Sequence, residues 1–247
     1  MENKVVFITG SAKRLGAYTA KFLHNLGYRI VLHCHHSVEQ VEALSKQLNG
    51  KRADSVKWVQ GNLCELEALN KIAQSAVDAF GRIDVLINNA SAFYPTPLGD
   101  FVAQDWQALM GSNAQAPLFL IQKLQKQLAQ NQGVVINMVD IHAQRPLSGH
   151  TIYCMAKAAL VTLTQSLAQE LAPDVRINGV APGAILWPDT ALPENEKNAI
   201  LSQIPLCRLG CEKDISEAIA FLISAPYITG QILAVDGGRS IANPSVA

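Results

Sequence analysis

Tyr153 and Lys157 stand four residues apart in TIYCMAKAAL, where Ala156, Leu160 and Leu163 recur at the spacing of one helical face. The phenol and the amine therefore share a face, one turn apart. A nearby ammonium favours the phenolate and lowers a tyrosine pKa from about 10, which readies the phenol as a proton donor near neutral pH. A lone Y-x-x-x-K more often pairs a half-buried aromatic with a solvated lysine. Here it occurs together with a glycine loop near the N-terminus, N-N-A after a middle strand and P-G after a later one.

The elements that must position this pair alternate between strand and helix. The apolar run Val134, Val135, Ile136 and Met138 is a strand leading into Asp140, and the helix carrying Tyr153 follows. Lys4 to Thr9 (KVVFIT) is a first strand, followed by GSAKRLG and by a helical pattern through Ala17, Ala20, Leu23 and Leu26 that stops at Gly27. Gly10 and Gly16 permit a tight turn and close backbone approach, and the helix N-terminus beyond them offers N–H groups to a pyrophosphate, with Arg14 and Leu15 in the same loop.

The second strand, Tyr28 to His33, runs into L-H-C-H-H-S, where an NAD-binding unit would carry an acid for the ribose 2′-hydroxyl. No acid stands there. His33, His35, His36 and Ser37 offer hydrogen-bond donors, and Arg14 can bring a permanent charge, which together predict a 2′-phosphate pocket and NADPH as cofactor. Histidines leaving a strand point to alternate faces and have no acidic or thiol partners here, so no metal is expected. Ser37 with Gln40 has the pattern of a capping box opening the next helix.

Ser55 to Gln60 is a third strand leading to Gly61, Asn62 and Leu63, with Asn62 a candidate for the adenine edge; the helix after it ends near Phe80 and Gly81. Asp84 to Ile87 is the fourth strand. Asn88, Asn89, Ala90 and Ser91 at its carboxyl end should line the cofactor site, as ligands do in doubly wound sheets. Helical segments follow around Trp106 and from Ser112 to Gln130. After the strand and helix of the opening, Val175 to Val180 is a sixth strand ending in Pro182 and Gly183. An irregular segment then runs to Pro205, its part from Ile185 a cover for the substrate. A helix from Asp214 and a strand at Ile232 to Val235 complete an α/β fold with a doubly wound parallel sheet covered on both faces.

Composition bounds the function. A chain of 247 residues, 49% hydrophobic, can bury one large core, so residues 1–247 are expected to form a single domain. Twenty basic and twenty acidic residues cancel, which removes the electrostatic case for nucleic acid or an anionic membrane and leaves a small-molecule partner. No apolar run reaches the roughly 20 residues of a membrane span, and a strand rather than a signal peptide follows Met1, which points to the cytoplasm. Five cysteines without framework spacing suit reduced thiols.

With these pieces placed, the chain resembles the short-chain dehydrogenase/reductases over its whole length, from T-G-x-x-x-R-x-G through N-N-A and Y-x-x-x-K to V-D-G-G at Val235 to Gly238. Within that superfamily it looks most like the pteridine reductases, through GSAKRLG, NNASAFYPTPL, GSNAQAP, NMVD and TIYCMAKAAL. The resemblance implies a seven-stranded Rossmann-type sheet in the order 3-2-1-4-5-6-7, a homotetramer, NADPH, and reduction of pterins or folates. It implies that Tyr153 and Lys157 are catalytic, that Lys157 binds the nicotinamide ribose, and that Asn113 helps hold a relay water beside it. Phe93 would stack on the pterin, and Ser91 would touch both cofactor and substrate. The family's basic residue after the second strand is here His36, so Arg14 carries more of the 2′-phosphate.

Asp140 discriminates, because most of the superfamily carries a serine there that donates to a substrate carbonyl. An ionised carboxylate cannot donate. It would repel an oxyanion developing on a ketone, whereas beside a pterin it can hydrogen-bond the tyrosine or relay a proton toward a ring nitrogen. The alternatives are an NADPH-dependent carbonyl or ketoacyl reductase, which would prefer serine at 140 and has no need of Phe93, and a nucleotide-sensing protein without turnover, which would not need Asn113, Tyr153 and Lys157 together.

Overall fold

Val5–Ile8 (β1) reads VVFI, and all four side chains are shut away from water. A strand buried on both faces belongs inside a parallel sheet covered by helices, and β1 takes that place. It pairs in parallel with Arg29–Cys34 (β2) on one side and Val85–Asn88 (β4) on the other, so that Ile8 stands beside both Leu32 and Ile87. Val56–Gln60 (β3) extends the sheet beyond β2, while Val134–Met138 (β5), Arg176–Pro182 (β6) and Ile232–Val235 (β7) extend it beyond β4. The computed structural model, which describes residues 4–187 and 192–242, has the strand order β3-β2-β1-β4-β5-β6-β7, all parallel, as the resemblance implied.

The period-2 alternation of each strand sorts its side chains into two cores. Val6, Ile8, Ile30, Leu32 and Ile87 face one layer, against Arg14–Asn25 (α1), Val38–Asn49 (α2) and a last helix, Glu212–Ser224, whose Ile215, Ile219 and Leu222 recur at helical spacing. Val5, Phe7, Val31, Leu86 and Ile177 face the other. There they meet Leu66–Phe80 (α3), Ala116–Gln130 and Thr151–Glu170. The chain leaves β1 toward β2 and β3, then returns to β4 on β1's other side. Such a reversal opens a crevice beyond the carboxyl ends of β1 and β4, where open α/β sheets bind ligands.

Most boundaries fall within two residues of the pattern in the sequence, and the exceptions have physical causes. The expected helix 112–130 begins earlier. Ala103–Met110 (α4) runs into a π-turn, Gly111–Gln115, and on into Ala116–Gln130 (α5), so that one long element carries a local underwinding at Asn113. The capping box expected at Ser37 does not form: that hydroxyl makes no capping bond, and the backbone of His36 accepts from Val38 N instead. A capping box does occur where the sequence shows cysteine, between Cys211 and Asp214, ahead of the last helix.

Thr151–Glu170 is α6. Within the segment expected to be irregular, Glu194–Ser202 (α7) is helical, opened by acids in its first turn and tied by a 2.6 Å Glu194–Lys197 pair. It buries no residue, so no apolar stripe announces it. Glu212–Ser224 is α8. Residues 188–191, part of the predicted cover, lie outside the described residues. No helix among the described residues is long and apolar enough to cross a membrane.

One ion pair anchors the two strands that flank the crevice. Asp84, just before β4, accepts from Val5 N at 2.8 Å and from Arg82 at 2.6 and 2.9 Å. The aspartate side chain is 3% exposed and the arginine 43%. Removing the more exposed partner should therefore do more harm. Arg82→Ala strands a buried carboxylate and should cost about 3–5 kcal/mol, whereas Asp84→Ala chiefly leaves Val5 N–H unpaired and should cost about 1–3 kcal/mol. Urea denaturation of both variants checks the order; an aspartate variant less stable than the arginine variant would refute it.

Candidate active site

The loop between β1 and α1 is shaped by what its glycines must avoid. Gly10 adopts φ +60°, and a Cβ there would lie 2.8 Å from the Cα of Ala90. At Gly16 a Cβ would meet the Gly10 carbonyl at 2.5 Å and Asn89 Nδ2 at 2.6 Å. Asn89 donates through that nitrogen to the carbonyls of Thr9 and Gly10, at 2.8 and 2.9 Å. The Thr9 hydroxyl in turn accepts from the backbone N–H groups of Asn89 and Ala90. The glycine loop and the N-N-A turn are thus stitched together across the crevice. Lys13 caps α1 without a side-chain capping bond, so the first N–H groups of that helix face outward.

These segments border a cavity of about 560 Å³. It gathers Gly10, Arg14, Leu15 and Gly16 from the loop, His33 and His35 from the end of β2, Asn62 and Leu63 after β3, and Asn89, Ala90 and Ser91 after β4. Lys13, which the sequence argument passed over, lines it too, although its place beside Arg14 in the loop was a usable signal. Arg14 has φ +50°, and its Nη2 reaches the Trp187 carbonyl at 3.4 Å. Asn62 lies on the wall with its amide folded back, donating to Glu65 at 2.8 Å and accepting from Cys64 N at 3.0 Å. Asn88, expected to line the site, instead turns inward to donate to Asn137 at 2.8 Å, and Asn137 donates to Thr164.

His33 needs the clearest correction as a phosphate donor. Its Nδ1 accepts from Gly10 N at 3.1 Å, so Nε2 carries the proton and faces the Gly61 carbonyl at 3.1 Å. Both nitrogens are spent, and a charged ring would lose the bond from Gly10. Burial, the largest cause, pushes its pKa down to about 4, in keeping with this neutral role. His33 is a strut under the glycine loop. His35 and His36 are exposed at the rim with ring centroids 3.5 Å apart, and burial followed by the charge of His36 lowers the pKa of His35. Ser37 follows at the start of α2.

At the other end of the crevice, β5 delivers Asp140 to cap a short 3₁₀ turn, Ile141–Ala143, its Oδ1 accepting from His142 N at 2.8 Å. Oδ2 accepts from the Tyr153 hydroxyl at 2.7 Å. Lys157, one turn along α6, is 2% exposed and donates to the Met138 carbonyl at 2.8 Å. The pair does share a helix face. Its electrostatics, however, run opposite to expectation: burial first and Asp140 second hold Tyr153 well above its ordinary pKa, with the Ser91 hydroxyl pulling weakly the other way. The carboxylate is in contact with the phenol, whereas the Lys157 ammonium, 5.6 Å from the ring centre, is turned to a carbonyl. Burial brings Lys157 down to about 8 against the opposing pull of Asp140.

Asn113 sits in the π-turn with its amide donating to the carbonyls of Ala92 and Leu109, both at 2.9 Å, and its Oδ1 accepting from Ser91 at 2.6 Å. Among the described residues it joins the centre through Ser91, not by a bond to Lys157. Phe93 is 55% exposed, edge-on to Tyr153 and stacked on His150, each at 4.8 Å between centroids. His150 was not anticipated, although it stands one helical turn before Tyr153. Pro182 ends β6, and Gly183 donates to the Val235 carbonyl at 3.0 Å, where a Cβ would lie 2.6 Å from Asp236. Among the described residues no group of three or more His, Cys, Asp and Glu side chains could hold a metal ion.

The arrangement joins a glycine-lined crevice with cations at its mouth to a phenol, a carboxylate and a buried amine, a set suited to holding a dinucleotide and moving a proton beside it. Comparison with known proteins points the same way. A family model described as enoyl-(acyl carrier protein) reductase matches residues 10–240. Pteridine reductase 1 of Leishmania tarentolae is 38% identical over 279 aligned positions, covering 96% of each chain. The 3-oxoacyl-[acyl-carrier-protein] reductase FabG of Staphylococcus aureus is 34% identical over 95% of this chain and 97% of its own, and that of Thermotoga maritima 31% over 98% and 99%. Matched from the glycine loop to the last strand, with Tyr153 and Lys157 on one buried helix face, this chain belongs to the short-chain dehydrogenase/reductase superfamily of nicotinamide-dependent oxidoreductases.

Proposed function

We propose that the protein is an NADPH-dependent pterin reductase, and the observation that carries this is the 2.7 Å bond from Tyr153 to the carboxylate of Asp140. A bound dihydronicotinamide supplies a hydride to the carbon of a ring C=N bond, whose electron pair moves to the nitrogen. The protein's part is the matching proton. The phenol proton passes to Asp140 Oδ2, the neutral carboxyl delivers it to the ring nitrogen, and the Lys157 ammonium stabilises the phenolate left behind. Phe93, exposed beside Tyr153, offers a flat face for the pterin, and Ser91 links that face to Asn113. The relative named pteridine reductase 1 supports this reading. The relatives named 3-oxoacyl-[acyl-carrier-protein] reductase supply the competing one, a carbonyl reductase on the same cofactor.

Asp140→Ser separates the two. It should cut single-turnover reduction of dihydropteridines about 10²-fold or more, the scale of general acid catalysis, with Tyr153→Phe comparably damaged. If the groups act as one relay, the double variant is little worse than either single one. Full pterin turnover by Asp140→Ser, strictly additive losses, or a wild-type preference for 3-ketoacyl substrates would move the protein to the carbonyl reductases.

The pH profile follows from Lys157. Its ammonium is present below about pH 8 and lost above it, while Tyr153 stays protonated throughout. Pterin kcat/KM at saturating NADPH should therefore fall as pH rises through about 8, and Lys157→Arg should move that fall beyond pH 10 in whatever activity survives. A profile flat from pH 7 to 10 would remove the ammonium from the mechanism.

NADPH preference rests on Arg14 and Lys13 at the mouth of the cavity and on the absence of an acid at the end of β2. Arg14→Ala should weaken NADPH by about 1.5–3 kcal/mol and NADH far less, the loss of one charge-assisted bond to phosphate. Fluorescence titration of both cofactors reads this directly. Equal losses would take Arg14 out of phosphate recognition.

A further inference from the structure

Two guanidinium groups stand on the same rim as Asp140, and the proton relay uses neither. Arg145 follows the 3₁₀ turn that Asp140 caps, and the ring of His142 within that turn bonds its carbonyl at 2.9 Å. Its Nη1 reaches across to the carbonyls of Arg239 and Ala242 in the segment after β7. Arg239 donates to Gln203 Oε1 at 3.1 Å, at the end of α7. A small cavity lined by Asp140, Gln144 and Ser240 brings that segment directly behind the carboxylate.

The nearby acids are already occupied. Asp140 accepts from His142 N and Tyr153, and Asp236 accepts from the backbone N–H groups of Gly238 and Ser240 at 2.9 and 2.6 Å. Neither arginine has a carboxylate within salt-bridge distance among the described residues. Burial, the largest cause, lowers the pKa of Arg239, with Asp140 and Asp236 opposing and Arg145 adding to the shift. Each guanidinium has five N–H donors, and the bonds described use two on Arg145 and one on Arg239. Two like charges held together at the edge of a site, with donors to spare and no carboxylate partner among the described residues, form a receptor for an anion. The planar fork of arginine is suited to a carboxylate.

Resting on the pterin reading, we infer that Arg145 and Arg239 select pterins bearing an anionic, carboxylate-ended tail, the aminobenzoylglutamate of folates, over pterins with short neutral side chains. The ring would lie at Phe93 and Asp140 and the tail would run out along the rim to the two arginines. Neither residue takes part in the proton relay, so their contribution should fall on KM and not on kcat.

Steady-state kinetics with saturating NADPH tests this, using 7,8-dihydrofolate and 7,8-dihydrobiopterin on the wild-type protein, Arg239→Gln, Arg145→Gln and the double variant. The KM for dihydrofolate should rise about 10-fold in the double variant, with kcat within about twofold, as expected for a partly solvated ion pair. Both constants for dihydrobiopterin should stay within about twofold, which also reports an intact site if Arg145→Gln loosens the terminal segment. Added salt should raise the dihydrofolate KM of the wild type and leave the double variant unmoved. Equal losses on the two substrates would make the arginines a structural latch and overturn the inference, as would an unchanged dihydrofolate KM. Wild-type protein that reduces dihydrobiopterin but not dihydrofolate would overturn it alone. If the wild type reduces neither, the pterin reading falls and this inference with it.

Discussion

A buried amine, a buried phenol and a carboxylate share one small volume, and the contact on which they depend is the 2.7 Å bond between Tyr153 and Asp140. An ammonium as buried as Lys157 is costly unless something nearby favours its charge, and Asp140 opposes the burial that drives its pKa down. The same carboxylate raises the tyrosine. Asp140 therefore acts on the protonation of both neighbours, and the geometry has to be held from several directions. The His142 N–H fixes one oxygen of Asp140, and Lys157 ties α6 to the end of β5 through the Met138 carbonyl. The 3₁₀ turn and the first turns of α6 are consequences of that requirement.

At the cofactor end the design is a neutral frame with charge confined to its mouth. His33 and Asn89 bond the backbone of the glycine loop, and the Thr9 hydroxyl accepts from the turn after β4, so uncharged groups brace the loop. Lys13 and Arg14 bring positive charge from outside that frame. The turn after β4 connects the two ends: Asn89 holds the loop, and two residues later Ser91 holds Asn113 and faces Tyr153. Two residues of chain thus separate the side chain that holds the glycine loop from the one that reaches the phenol.

The alternation of buried strands with helices and the pairing of Tyr153 with Lys157 were legible because they rest on period, apolar runs buried on both faces and a four-residue interval on a helix, whereas the strand order followed from the resemblance to a known superfamily. What escaped depends on direction and neighbourhood, which spacing does not carry. His33 was counted as a donor by its type, yet it ends a buried strand beside Val59 and points under the loop. The depressed tyrosine followed from considering Lys157 alone, without the burial and the Asp140 carboxylate, thirteen residues before Tyr153, that together reverse the sign. The α7 helix has no buried face, so nothing in its hydrophobic pattern distinguishes it from a loop. The π-turn at Asn113 is a one-residue departure inside a helical pattern, below the resolution of periodicity.

On the proposed reading, the carboxylate at position 140 also sets which acceptors can be reduced. Hydride addition to a ketone leaves negative charge on oxygen. Beside an ionised Asp140 that charge would be opposed by roughly 4 kcal/mol for unit charges about 4 Å apart at an effective dielectric near 20. That is about a thousandfold in rate, more than a single donated hydrogen bond from Tyr153 returns. A ring C=N nitrogen avoids the penalty, because it takes up a proton as the hydride arrives and no oxyanion forms. The charge that would hinder a carbonyl reductase thus becomes the base that polarises the Tyr153 proton. When the relay has run, Asp140 is again a carboxylate and Tyr153 a phenolate, so the site has given up one proton, and the Lys157 ammonium buried close by offsets that charge until solvent returns the proton.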